Sequence, residues 1–358
     1  MSQTDHSILA PSSAARWLQC PGSVRMCQQF PEPEDSPKAI EGTLAHAVNV
    51  AFMEGNPMPA GATDEMIEGA QLWADTVGSD DTHLEERIDC SSIHPECWGT
   101  PDAWMYRNGE LTVADYKFGH SYVDAYRNPQ MTVYVAGLLK KFDFNGMDEQ
   151  HLIVRMTIVQ PRSYHRDGPV RTWTTTAADL RADFNLLRAA ATKALGPDPQ
   201  LNVGPECRYC SARHACPALQ AAAYAAAEFG GDAMPFYLPD ESIGREVRFL
   251  RDMADTLNSR ISGLEDEVLA RITKLGRSVP GWMTEQGMGR EKWAKSVDEV
   301  LALGALMGID LSKPGALTPK QAIKAGVPAA VVSQYSETPK GEIKLVPDAS
   351  VARVFGGA

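Results

Sequence analysis

The sequence lacks any hydrophobic run near the ~18 residues needed to cross a membrane. Its first residues, MSQTDHSILAPSS, also lack the basic and apolar segments of a secretory leader. Residence in the cytoplasm is the expectation. Basic excess is lacking too: 34 Lys and Arg face 46 Asp and Glu, a net charge of −12. That argues against a protein that coats duplex DNA with its whole surface. It leaves room for a local basic groove beside an acidic metal site, because net charge says little about where the field lies. Cysteines are few, and their number, seven, is odd, which makes a disulfide framework a poor explanation. There is no internal repeat and no low-complexity tract beyond the alanines of 221–227.

What is present is ordinary globular composition, 44% hydrophobic and 22% charged, enough for a sizeable core. At roughly 150 residues per domain the length suggests about two domains. A short helix is expected at 12–19, with Ser12 or Ser13 as its cap and Cys20-Pro21-Gly22 as its stop. Helices are expected at 40–53 and 64–77. Strand-like patterning begins near 96. After it come a helix opened by Asn128-Pro129 and running to about Lys141, strands at 151–160 and 169–175, and a helix at 177–195. Residues 230–240, rich in Gly and Pro, read as a linker. A long helix at 241–275 then opens a C-terminal region, 241–358, expected to be mainly helical.

Asn108-Gly109 is the strongest short hairpin signal in the chain. With a two-residue turn there, Arg107 faces Glu110, Trp104 faces Val113 and Asp102 faces Asp115. Opposed residues have Cβ atoms about 5 Å apart, and like charges at that spacing repel. Lys117 projects from the same face as Asp115, two residues on. Turn chemistry alone thus gathers two carboxylates and an ammonium in a small volume. A divalent cation would relieve the repulsion, and oxygen ligands suit magnesium or manganese. The plainer alternative is a solvated face with Lys117 as a surface partner. Against it, both aspartates sit among Pro101, Ala103, Trp104, Val113 and Ala114.

Gly42-Thr43 with His46, then Gly99-Thr100-Pro101-Asp102, then Asp115-Tyr116-Lys117, then Gln130 and Tyr134 one helical turn apart together resemble the PD-(D/E)XK nuclease superfamily. The branch most similar is that of the RecB-like exonucleases, and residues 1–229 would form that core. The whole chain also resembles an uncharacterised phage and prophage family. The resemblance implies an α/β fold of the restriction-endonuclease type, with a central mixed sheet flanked by helices. It implies that His46, Asp102 and Asp115, with a carbonyl near Tyr116, hold Mg2+ or Mn2+. Lys117 would orient the attacking water, while Gln130 and Tyr134 would contact the DNA backbone or brace the ligands. Glu41, about 140° around the helix from His46, ranks low as a ligand.

Cys207-x2-Cys210-x5-Cys216 places three thiols within ten residues, so a fourth ligand must come from elsewhere. Thiolates suit zinc and iron–sulfur clusters alike, and spacing does not separate the two. The pattern resembles the iron–sulfur staple of AddB-type and CRISPR-adaptation RecB-like nucleases. That resemblance implies a [4Fe-4S] centre on Cys20, Cys207, Cys210 and Cys216, with Cys27 as the alternate upstream ligand and zinc as the lesser occupant. Cys90 and Cys97 read as buried small hydrophobes.

The expected activity is metal-dependent hydrolysis of DNA in phage or prophage recombination, with DNA as partner, a phage single-strand annealing protein as a second partner, and the bacterial host cytoplasm as its place. The alternatives are a catalytically silent DNA-end-binding scaffold and a zinc-stabilised structural protein. DNA binding by so acidic a chain requires its cations to be concentrated, with Arg107, Lys117, Arg127, Lys140, Lys141, Arg155 and Arg162 as the candidates.

Overall fold

Asn108 and Gly109 both take positive φ, 51° and 79°, as in a type I′ hairpin turn, whose twist matches that of the strands. In the computed structural model this turn sets a register of Arg107 with Glu110, Trp104 with Val113 and Ala103 with Ala114, as expected. The structure describes residues 7–30, 37–78, 81–142, 148–163, 165–227, 240–288, 292–313 and 315–347. Chain contacts divide it into two units, Met1–Gly263 and Leu264–Ala358, the division falling inside a long helix.

The first unit opens with α1 (Ala14–Gln19), α2 (Ser23–Gln29), α3 (Pro37–Glu54) and α4 (Asp64–Val77). Strands β1 (His83–Leu84), β2 (Ile88–Asp89), β3 (Trp98–Gly99), β4 (Ala103–Arg107) and β5 (Glu110–Tyr116) follow. Then come α5 (Pro129–Lys141), β6 (Ile153–Val159), β7 (Val170–Thr176), α6 (Arg181–Ala194), α7 (Pro217–Ala227) and α8 (Asp240–Thr273). Two predicted caps fare differently. Asn128 Oδ1 accepts from Met131 N at 3.3 Å and opens α5. Ser13 sits at the N-cap of α1, but its hydroxyl donates backwards to Ala10 O at 3.0 Å, so it caps nothing.

The main sheet runs β1-β4-β5-β6-β7, with β5 and β6 parallel and the other neighbours antiparallel. It is therefore the mixed sheet expected of the α/β class. Its central strands are covered on both faces. Leu111 and Val113 of β5 and Val154, Met156 and Ile158 of β6 pack with Val133, Val135 and Leu138 of α5 and with Phe184 and Leu187 of α6. On the other face Ala114, Tyr116 and Val159 pack with Ala45 and Val48 of α3 and with Met66, Ala70 and Trp73 of α4. At roughly 1.5–3 kcal/mol per buried large apolar side chain, these two layers hold β5 firmly at the middle of the sheet. Gly69 of α4 belongs to this packing. A Cβ there would lie 2.3 Å from Oη of Tyr116, so the ring reaches the helix only because the position is glycine.

In the C-terminal region, 241–358, more of the described residues lie in helix than in strand, but the second unit also holds strands that the sequence did not reveal. Besides α9 (Val297–Leu306), α10 (Pro319–Lys324) and α11 (Ala329–Tyr335), its described residues form β8 (Trp282–Met288), β9 (Lys292–Trp293), β10 (Ser312–Lys313), β11 (Gly315–Ala316), β12 (Ser336–Glu337) and β13 (Lys340–Pro347). They pair as β8 with β13, β9 with β12 and β10 with β11. The longest pairing joins segments far apart in sequence, and WMTEQGM has no apolar alternation to reveal it. A small core of Val300, Leu311, Ala322, Val327 and Val332 holds the helices together. Apart from Asp240, the 230–240 linker lies outside the described residues. Among the described residues no helix is long and apolar enough to cross a membrane.

Candidate functional site

The antiparallel ladder between β4 and β5 stops at Ala103, one residue short of Asp102. The expected Asp102–Asp115 pairing is thus replaced by a tighter arrangement. Asp102 Oδ2 accepts from the backbone N–H of Tyr116 at 2.6 Å, which pins the carboxylate beside the end of β5. Its other oxygen lies 3.4 Å from His46 Nδ1 on α3. Asp115, at the end of the buried side of β5, is 2% exposed. Lys117 Nζ lies 3.3 Å from its Oδ1 and 3.0 Å from its Oδ2.

Asn128-Pro129 starts α5 at the point that brings Gln130 over this pair. Gln130 Nε2 donates to Asp115 Oδ1 at 2.7 Å, and Gln130 Oε1 accepts from Lys117 Nζ at 3.1 Å. One turn on, Tyr134 Oη donates to the carbonyl of Thr100 at 3.0 Å and steadies the segment that carries Asp102. Tyr134 is 3% exposed, so of the two roles expected of it, bracing fits and contact with a DNA backbone does not. Tyr116 packs edge-on against both His46 and Trp73.

The sequence reading missed Glu85. It follows β1, takes φ 48°, and donates its N–H to the carbonyl of Asp102 at 3.3 Å. Its carboxylate lies 3.9 Å from His46 Nδ1, and His46, Glu85 and Asp102 can offer ligand atoms that all lie within 4.8 Å of one another. β1 is two residues long and pairs with β4 by tertiary contact alone, so nothing local marked Glu85. Glu41, by contrast, is turned away to Arg162, which also binds Glu65 and lies over the ring of Phe118.

Burial and mutual repulsion set the protonation of this cluster. Burial raises the Asp115 carboxyl, opposed by Lys117 and reinforced by Asp102. Burial would raise Asp102 as well, but His46, Lys117 and the Tyr116 N–H outweigh it and hold it below its ordinary value. Burial and Asp102 push Glu85 up to about 7. Burial works against His46, yet Asp102, Asp115 and Glu85 push it up to about 9. Asp115 Oδ2 is buried and has no hydrogen-bond donor aligned on it; Lys117 is within ion-pair distance but off the donor direction. A buried carboxylate oxygen without a donor, among two further carboxylates and an imidazole, is a donor set that fits a hard divalent cation.

Most of the cations expected to form a basic groove are held in ion pairs. Arg127 pairs with Asp183, Lys140 with Asp89, Lys141 with Glu86, Arg155 with Glu110 and Arg162 with Glu41 and Glu65. Each of these five cations lies against a carboxylate. Among the described candidates, Arg107 alone makes no such pair.

The second constellation lies where α1 and α2 meet residues 196–216. Arg25 donates to the carbonyls of Gly196 and Pro197, Arg16 to that of Tyr209, and Asn202 to that of Gln19. Cys20, Cys207, Cys210 and Cys216 line one small cavity there. Cys20 Sγ accepts from Asn202 N at 3.3 Å and Cys207 Sγ from Gly204 N at 3.4 Å. Cys27 is drawn to the same place but lies against one sulfur, 3.6 Å from Cys210 Sγ. That contact pulls Cys27 down to about 5 and pushes the Cys210 thiol up. Cys90 and Cys97 are both fully buried in the core, as expected.

The chain belongs to the family described as Protein of unknown function (DUF2800), whose model matches residues 6–349. It is also similar to a solved structure described as "Crystal structure of SSO0001", at 16% sequence identity and a TM-score of 0.34, over 61% of this chain and 90% of that one.

Proposed function

We propose that this DUF2800 protein is a metal-dependent deoxyribonuclease that hydrolyses phosphodiester bonds from DNA ends. The observation that carries the reading is the convergence of His46, Glu85, Asp102, Asp115, Lys117 and Gln130, from separate segments, on one partly buried point. His46, Asp102 and Asp115, with Glu85 added and the carbonyl near Tyr116, are the residues that would hold Mg2+ or Mn2+. Such an ion, when bound, supplies Lewis acidity to the scissile phosphate and to the attacking water.

The chain's own groups do the rest. Lys117 presents a fixed ammonium where negative charge develops on the phosphate, and it orients the water. Gln130 fixes both Lys117 and Asp115. Tyr134 fixes Asp102 through Thr100. No residue at the site points to base reading, which suits a nuclease that contacts phosphates. Cys20, Cys207, Cys210 and Cys216 are four soft donors around one cavity, a set that fits a [4Fe-4S] cluster or, secondarily, zinc. There they would tie the N-terminal helices to the end of the core. The proposed setting is the bacterial cytoplasm, with DNA as substrate and a phage single-strand annealing protein as partner.

The test is anaerobic purification followed by assay with Mg2+ and Mn2+ on end-labelled linear and circular DNA. Degradation of linear DNA that stops with chelator, and in Asp115→Asn and Lys117→Ala variants that still fold, supports the reading. Binding of DNA ends without turnover would favour a silent scaffold. Neither binding nor turnover, with zinc bound to the cysteines, would favour a structural protein.

A further inference from the structure

At the far end of the β4–β5 hairpin from the metal cluster, the sheet face beyond α4 is left open. A cavity of about 400 Å³ lies there, lined by Thr76, Arg107, Thr112, Arg155, Thr157 and Thr172, among others. That volume is in the range of small-molecule sites. Its wall is polar, with several threonine hydroxyls on adjacent strands, whereas the rest of that face is apolar.

The charges around it do not balance. Arg155 is bound through two nitrogens to Glu110, at 2.6 and 2.9 Å. Thr112 also donates to that carboxylate, so Glu110 accepts three hydrogen bonds without Arg107. Arg107 stands directly across the turn from Glu110 in the ladder, yet it makes no ion pair with it or with any described residue. Its Nε and Nη2 are buried without an acceptor. A guanidinium carries five donors and cannot discharge by losing its proton. Leaving the three on Nε and Nη2 buried and unpaired destabilises the fold. A side chain that costs stability and faces a polar cavity is the usual signature of a site kept for a ligand.

We propose that this cavity binds a small phosphorylated molecule, with Arg107 as the cation that receives its phosphate and, as an additional donor, the hydroxyl hydrogen left over by Thr157 and Thr172, whose Oγ atoms share one hydrogen bond at 3.1 Å. A guanidinium matches a phosphate in geometry as well as charge. The cavity is larger than one phosphate needs, which leaves room for an organic body of mononucleotide size. The proposal does not rest on the nuclease reading, because none of the metal-cluster residues lines this cavity.

The experiment is thermal shift and calorimetric titration of the full chain with inorganic phosphate and with deoxyadenosine monophosphate. It uses wild type, Asp115→Asn, Arg107→Met and Thr157→Val. Saturable stabilisation of wild type and Asp115→Asn by either probe is expected, and it should be absent in Arg107→Met and at least severalfold weaker in Thr157→Val. Tighter binding of the nucleotide identifies a phosphate monoester as the source, and equal binding identifies free phosphate. Without ligand, Arg107→Met should melt no lower than wild type. No saturable binding in wild type overturns the proposal. So does binding that survives undiminished in Arg107→Met or, should that variant not fold, in Thr157→Val.

Discussion

The side-chain amide of Gln130 donates to Oδ1 of Asp115 at 2.7 Å, which ties the first turn of α5 to the end of the central strand. The same amide accepts from Lys117, so one residue sets both the carboxylate and the ammonium of the site. Gln130→Ala should therefore lower metal-dependent DNA cleavage by about 10–100-fold, the usual effect of losing a group that orients a metal ligand. Fold stability should change far less. Cleavage within about twofold of wild type would show that Asp115 and Lys117 keep their positions without Gln130.

Gly69 and Tyr116 give a stability prediction. A Cβ at position 69 would meet Tyr116 Oη at 2.3 Å, and that hydroxyl is buried without a hydrogen-bond partner. Gly69→Ala should destabilise the protein by about 1–3 kcal/mol, as overpacking does. Tyr116→Phe removes the clashing atom and an unsatisfied polar group, so it should be neutral or stabilising and should recover most of the loss in the double variant. Chemical denaturation of the four proteins measures this. Simple additivity of the two changes would contradict the contact.

Stability of the metal-free protein should fall as pH rises. Glu85 is raised from 4.5 to about 7 and His46 from 6.5 to about 9. A group whose folded value is raised stabilises below its unfolded value and loses that contribution as pH climbs through the folded one. Glu85 thus loses its contribution between about pH 4.5 and 7, and His46 between about 6.5 and 9. Metal binding must displace the same protons, so stabilisation by Mn2+ should grow over that range. Melting curves across pH, with and without Mn2+, test both halves. A Mn2+ shift that shrinks with rising pH would show the cluster is not the binding site.

Cys20→Ala should abolish metal binding at the cysteine cavity and lower stability, because it frees the N-terminal helices from residues 196–216. Cys27→Ala should retain most of the bound metal, since Cys27 touches Cys210 rather than lining the cavity. Elemental analysis for iron and zinc in the purified variants decides. The reverse pattern would exchange the two ligands, and zinc without iron would replace the cluster.

DNA affinity, measured on Asp115→Asn, should depend on salt only modestly. Log affinity falls by roughly 0.9 per phosphate contact per log unit of salt for duplex DNA. With Arg127, Lys140, Lys141, Arg155 and Arg162 already paired to carboxylates, a slope of no more than three to five contacts is expected. A steep slope would mean that those pairs open on binding. A flat one would mean that no phosphate-tracking surface exists.

The sequence by itself determined whatever is local. Asn108-Gly109 dictated the hairpin because both residues accept the positive φ of a turn whose twist matches that of its strands. Asn128-Pro129 dictated where α5 begins, and with it that Gln130 and Tyr134 share a face. The spacing of Cys207, Cys210 and Cys216 placed three thiols in one loop. Tertiary structure decided whatever joins distant segments. It brought Glu85 to His46 through a strand of two residues, and it paired β8 with β13 across some fifty intervening residues. It also paired almost every candidate phosphate-binding cation with a carboxylate from elsewhere in the chain. Such outcomes depend on which surfaces pack together, and hydrophobic burial is non-directional, so no short window of sequence encodes the partner.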